Sequence, residues 1–130
     1  MIENISAVEQ LDGILAVEGI DGYHIGPLDL AQSMGYPPKA ELERLIEEIV
    51  RRCRAAGKHA AVGVVTPWGM DSLPKWAGRG AQIFSVPSAW MLTLMTGKFL
   101  GEVRSMAPKE QQDWPPVPPI AHNPYFTSDQ

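Results

Sequence analysis

The sequence predicts an α/β fold built from parallel βα repeats. Three observations carry the prediction. Short apolar runs of strand length alternate with longer segments of helical periodicity, glycine and proline fall at the joints, and carboxylates follow the ends of two of the runs. Parallel strands joined through helices need crossover connections, which bring their carboxyl ends to one edge of the sheet.

Met1-Ile2 reads as the end of a first strand, with Glu3 just beyond it. A helix over 6–17 follows: Ile5, Val8, Leu11, Leu15 and Ala16 recur at roughly helical spacing until Gly19 stops the pattern. The run Ile20-Asp21-Gly22-Tyr23-His24-Ile25 is the second strand. Gly26-Pro27 ends it, because glycine tolerates unusual dihedrals while proline fixes φ and cannot donate to a ladder. Asp29 is therefore held on a rigid corner at the carboxyl end of a strand, where ligands and catalytic groups collect in α/β proteins. For an isolated aspartate after Gly-Pro, the commoner role is to cap the short turn over 30–34.

Pro37 and Pro38 precede a helix over 39–56, in which Leu42, Leu45, Ile46, Ile49, Val50 and Cys53 form one apolar stripe, and Gly57 stops it. The run over 59–65, ending in Thr66-Pro67-Trp68-Gly69, reads as a buried parallel strand. A short helix over 70–77 leads through Gly78 and Gly80 to a strand over 81–86. Pro87 and Ser88 open a last helix to about Arg104, carrying Trp90, Met91, Leu94, Met95, Phe99 and Leu100. Apolar residues around so much of its circumference predict cover on more than one side. From Ser105 onward Pro108, Pro115, Pro116, Pro118, Pro119 and Pro124 forbid regular structure, so 105–130 reads as an extended or disordered tail.

At 130 residues and 45% hydrophobic, the chain can bury one modest core. A net charge of −4 offers no basic stripe to neutralise phosphates, which argues against nucleic acid as a partner. Arg51, Arg52 and Arg54 alternate with Glu47 and Glu48, as on a solvated, salt-bridged helix face. No apolar run approaches the roughly 18 residues of a membrane span, and the start is not signal-like, so a cytoplasmic protein is expected. The single cysteine, Cys53, excludes an intrachain disulfide and reads as a small buried or half-buried helix residue.

Glu3 and Asp29, at equivalent places after two strands, are expected to face one crevice. Two converging carboxylates suit a hard divalent cation such as Mg²⁺ or Mn²⁺, with Co²⁺ a further candidate and with waters and substrate oxygens filling the other positions.

Met1-Ile2-Glu3-Asn4, the segment Leu11-Asp12-Gly13-Ile14-Leu15-Ala16-Val17-Glu18-Gly19-Ile20-Asp21-Gly22, the segment Ile25-Gly26-Pro27-Leu28-Asp29-Leu30-Ala31, and Met34-Gly35 resemble the HpcH/HpaI family of metal-dependent, pyruvate-utilising aldolases. Ala55-Ala56-Gly57-Lys58 and the strand from Gly80 to Val86 are similar to further segments of it, so the likeness covers roughly 1–104. The resemblance implies the second half of a TIM (β/α)₈ barrel over 1–104, followed by the proline-rich tail. It implies Glu3 and Asp29 as metal ligands and the backbone around Pro27 and Leu28 as lying along a pyruvate carboxylate. The histidine–aspartate base and keto-acid-binding arginine of the family's first half have no counterpart here, and Met1 stands where many members carry glutamine. A thioether cannot replace an amide's hydrogen bonds.

His24 lies inside a strand, His59 starts one and His122 lies in the tail, so no pair has helical metal-ligand spacing and each reads as structural or solvated. Ser85 and Ser88 have no base partner identifiable in the sequence. Trp68 and Trp90 follow strands and either border the site or pack in the core. Two functional classes remain. The first is a carbon–carbon lyase that cleaves 2-keto-4-hydroxy acids to pyruvate and an aldehyde, completed by a homo-oligomer or a complementary N-terminal half. The second is a non-catalytic half-barrel that acts as an oligomeric binding or scaffold protein.

Overall fold

Asn4 decides how the chain begins. Its side-chain oxygen accepts from Ala7 N at 2.8 Å, an N-cap that turns the backbone from extended to helical after only three residues. At the expected end of the first strand, Ile2 makes a single parallel bridge to Ile25. The computed structural model describes residues 1–63, 73–106 and 108. The helix expected over 6–17 is two short helices, α1 (Ile5–Glu9) and α2 (Leu11–Leu15), meeting at Gln10, whose ψ of 13° breaks the regular winding. The break turns Leu11 and Leu15 into the core.

Strand β1 (Gly22–Ile25) leads directly into α3 (Pro27–Ser33), with Gly26 at the N-cap and proline at the first helical position, where its missing N–H costs nothing. Gly35, with φ of +74°, follows α3 in the left-handed conformation that ends helices. Helix α4 (Lys39–Ala55) buries Leu42, Ile46, Ile49, Val50 and Cys53, the expected stripe. Strand β2 (His59–Gly63), helix α5 (Leu73–Gly78), strand β3 (Ile83–Ser85) and helix α6 (Ser88–Met106) complete the described elements. The expected Thr66-Pro67-Trp68-Gly69 strand end, the start of the fifth helix, and 109–130 of the tail lie outside the described residues.

The sheet is parallel, in the order β1-β2-β3, with Tyr23 opposite Ala60, His24 opposite Ala61, and Gly63 opposite Ser85. Side chains alternate across it. Ile2, Tyr23, Ile25, Ala60 and Val62 are buried and join Leu30, Ile46, Ile49 and Val50 in one core between sheet and helices. Glu3, His24, Gly63 and Ser85 fall on the alternate positions, with exposed Ile83. The Tyr23 hydroxyl donates to Ile14 O, pinning α2 against β1.

Helix α5 docks on α4 through a matched ladder. Lys75 Nζ lies 2.6 Å from Glu43 Oε2 and Arg79 Nη1 lies 3.2 Å from Glu47 Oε2, with buried Trp76 between the two cations. The Arg51–Glu48 pair lies on the expected salt-bridged face of α4, and Arg52 pairs with Asp12 of α2; such exposed pairs add little to stability. Helix α6 departs from expectation. None of its residues is buried, and Leu92, Met95 and Phe99 are 70%, 60% and 63% exposed. The described residues lay no second layer over this side.

Candidate functional site

Glu3 is positioned by the ladder around Ile2, in which Ile2 N donates to His24 O at 2.8 Å and Gly26 N donates to Ile2 O at 3.0 Å. These bonds fix Glu3 beside the carboxyl end of β1. Asp29 is the third residue of α3, at the helix end whose dipole favours negative charge. Ile5 N donates to Ser33 Oγ at 3.0 Å and ties the start of α1 to the end of α3.

The two carboxylate-bearing residues meet over Gly26. A Cβ built on Gly26 would stand 3.3 Å from Asp29 Oδ2, 3.3 Å from Glu3 Cβ and 3.5 Å from the Met1 terminal methyl. Among the described residues neither carboxylate has a hydrogen-bond or ion-pair partner. All-oxygen, anionic donors, the kind these two residues offer, are the set that hard divalent cations take. No third His, Cys, Asp or Glu joins them among the described residues. Pro27 is buried and Leu28 half-buried at the first two positions of α3.

One pair of residues read as unconnected in the sequence is joined in space. Ser85, which has no base partner identifiable from sequence, faces His24, whose Nε2 lies 2.7 Å from Ser85 Oγ. His24 Nδ1 is buried without a hydrogen-bond partner, so this histidine is neither simply solvated nor a satisfied core residue. The only sequence signal for the contact is the strand alternation that sends both residues to one face. His59 Nδ1 sits 2.8 Å from Gln82 Oε1, which also accepts from Arg54 Nη1 at 2.6 Å, a structural cluster at the opposite end of β2. Burial pushes the Cys53 thiol above its ordinary pKa, which leaves it inert. Trp90 is half-buried near the start of α6, and Trp68 lies outside the described residues. An open hollow of about 450 Å³ is lined by Asp12, Leu15, Ala16, Arg52, Ala55 and Ala56; it belongs to the helix layer and shares no residue with the carboxylate corner. No helix among the described residues is long and apolar enough to cross a membrane.

This arrangement has relatives. The chain is 52% identical over 94 residues to a 2-keto-3-deoxy-L-rhamnonate aldolase of Escherichia coli K12, a match spanning 70% of this chain and 34% of that enzyme. It thus spans about a third of the length of the curated relatives it matches. Its fold superposes with a TM-score of 0.67 on an HpcH/HpaI aldolase from Desulfitobacterium hafniense DCB-2, at 27% identity over 83% of this chain and 42% of that one. An HpcH/HpaI aldolase/citrate lyase family protein from Burkholderia cenocepacia J2315 gives 0.71 at 21% identity over 79% of this chain and 40% of that one, a likeness of fold alone. The family model for HpcH/HpaI aldolase/citrate lyase matches residues 1–89, taking in both carboxylates, the Gly26-Pro27 corner and all three strands. The chain therefore belongs to the HpcH/HpaI aldolase/citrate lyase family.

Proposed function

We propose that the chain supplies the metal-holding corner of a carbon–carbon lyase that cleaves 2-keto-4-hydroxy acids to pyruvate and an aldehyde, within a barrel of which residues 1–104 form the second half. The observation that carries the reading is that Glu3 and Asp29, neither with a side-chain partner among the described residues, meet over Gly26. The 2-keto-3-deoxy-L-rhamnonate aldolases, which the chain resembles in sequence over this region, support the substrate class.

In this reading Glu3 and Asp29 hold Mg²⁺ or Mn²⁺, with Co²⁺ a substitute, each carboxylate giving a hard oxygen and leaving the other positions to water and substrate. When bound, the cation supplies Lewis acidity toward the keto oxygen and the enolate charge that develops there. The chain's own residues orient the substrate. Pro27 has no N–H, and the Leu28 N–H, at the second position of α3, has no intrahelical acceptor, so the backbone here is open to a pyruvate carboxylate. Gly26 keeps the corner free of a side chain, so Asp29 and a ligand can approach the backbone closely.

Self-association belongs to the same reading. Helix α6 turns Leu92, Met95 and Phe99 to solvent, and β3 is an edge strand among the described residues, so a homo-oligomer or a complementary half would cover what this chain leaves open.

Calorimetric titration with Mn²⁺ tests the corner. The wild type should bind, and Asp29→Asn and Glu3→Gln should each bind at least tenfold more weakly. Equal affinity in all three proteins would refute the assignment.

A further inference from the structure

We propose that the His24–Ser85 pair is a recognition element for the hydroxyl-bearing carbon chain of the ligand, with Ser85 Oγ as the contacting atom and His24 as its positioning residue. The proposal rests on the reading of Glu3 and Asp29 as the metal corner and names what lies beside it.

Placement comes first. His24 on β1 and Ser85 on β3 flank β2, two strand spacings apart across the sheet and two residues apart along it, so their backbones stand roughly 12 Å apart. The imidazole leans past Ala61, its partner on β2, toward the carboxyl edge, where Gly63 leaves β2 without a side chain beneath the ring. Gly63 lies opposite Ser85, and a Cβ there would come within 3.2 Å of His24 Cε1 and 3.5 Å of Pro27 Cδ. The register that pairs Ile25 with Val62 sets Gly26 beside Gly63 one residue further on. Two adjacent glycines therefore floor one patch at the carboxyl edge of the sheet. The carboxylates gather over Gly26 and the His24–Ser85 pair over Gly63, about one strand spacing or 4.8 Å away. That separation suits a short-chain acid whose carboxyl end is anchored at the metal corner and whose further carbons run toward Ser85.

The protonation pattern follows from burial. His24 Nδ1 is buried without a partner, and an orphaned buried N–H is rarer and costlier than an orphaned lone pair. The proton is therefore assigned to Nε2, which donates to Ser85 Oγ at 2.7 Å. The Ser85 hydroxyl proton is then directed away from the imidazole, and Ser85 is exposed. It is a fixed donor with one further acceptor lone pair, the complement of a ligand hydroxyl. The same assignment removes Ser85 from nucleophilic chemistry, because the nitrogen facing it carries a proton and is no base.

The test compares two ligands that differ only in one hydroxyl and lack the keto group needed for carbon–carbon cleavage: 2,4-dihydroxybutanoate and 2-hydroxybutanoate. Calorimetry on the full 130-residue chain saturated with Mn²⁺ should show the dihydroxy acid bound roughly fivefold to tenfold more tightly, the worth of about one hydrogen bond. Ser85→Ala and His24→Phe should abolish that preference without lowering Mn²⁺ affinity. Ser85→Thr and His24→Gln, whose amide N–H reaches about as far as Nε2, should retain it. Nitrogen-15 spectra of the wild type should show His24 protonated at Nε2. A wild type that binds Mn²⁺ and 2-hydroxybutanoate without preferring the 4-hydroxyl, a preference that survives Ser85→Ala, or a proton on Nδ1 would overturn this inference alone. A wild type that binds no Mn²⁺ would overturn the metal corner and this inference together.

Discussion

Adding one methyl group at Gly26 should weaken metal binding while leaving the fold intact. Its φ of −98° and ψ of 93° are open to alanine, so Gly26→Ala meets no backbone penalty. The new Cβ would stand 3.3 Å from Asp29 Oδ2 and 3.3 Å from Glu3 Cβ, a few tenths of an ångström inside the roughly 3.5–4.0 Å of comfortable contact. Glu3 is pinned by the two ladder bonds around Ile2, whereas Asp29 is an exposed side chain; the aspartate yields. Mg²⁺ holds its oxygens near 2.0–2.1 Å with little tolerance, so a ligand displaced by a few tenths of an ångström should cost about tenfold to a hundredfold in affinity, or roughly 1.4–2.8 kcal/mol. Stability should change little. The loss of unfolded-chain entropy contributes about 0.4–1 kcal/mol, and crowding takes away an amount of the same order. Titration with Mg²⁺ and Mn²⁺, with thermal melts on the same samples, separates the two effects. An alanine variant that melts like the wild type and binds both metals equally well would show that the carboxylates do not act together over Gly26.

Gly22→Ala should be a different case, because its Cβ would meet the Cβ and backbone oxygen of His59 at 2.9 Å each; a loss of about 1–3 kcal/mol in denaturant unfolding is expected, and an unchanged midpoint would contradict the β1–β2 packing. Light scattering at micromolar concentration should give a dimer or larger for the wild type and a smaller species for Phe99→Glu on α6, while a monomeric wild type would count against the oligomer. Cys53 should resist thiol reagents at neutral pH until the chain is unfolded. Its raised pKa fixes the sign of a pH effect: above about pH 8.5 the unfolded chain gives up a proton that the folded one keeps, so stability falls with rising pH, and Cys53→Ala should flatten that slope.

The parts of this molecule that were legible in the sequence are those set by local chemistry. The α4 stripe and its stop at Gly57 follow from periodicity and a single glycine, and the Asp29 corner follows from Gly26-Pro27. The bend at Gln10 was hidden because the apolar spacing runs through it unbroken, and periodicity is blind to one residue's ψ. The end of a first strand at Met1-Ile2 is legible, and the parallel bridge of Ile2 to Ile25 agrees with it. The His24–Ser85 contact was out of reach, since it joins residues 61 positions apart through a parallel register and a side chain that Gly63 lacks. Helix α6 was read as covered because apolar residues imply a partner, but a sequence does not say on which chain that partner lies.

The two faces of the sheet divide the labour of the chain between them. Every second strand residue, from Ile2 through Tyr23, Ile25, Ala60 and Val62, is committed to the helix-side core, and substitution there is taxed by unfolding. The alternate residues Glu3, His24 and Ser85 stand outside that core, so exchanging them alters what this face binds more than whether the chain folds. Heredity can therefore rewrite one face while the other stands still. The price of the arrangement is that a one-residue slip in register would send every chemical group inward and every aliphatic one outward, which makes correct strand pairing as much a condition of chemistry as of folding.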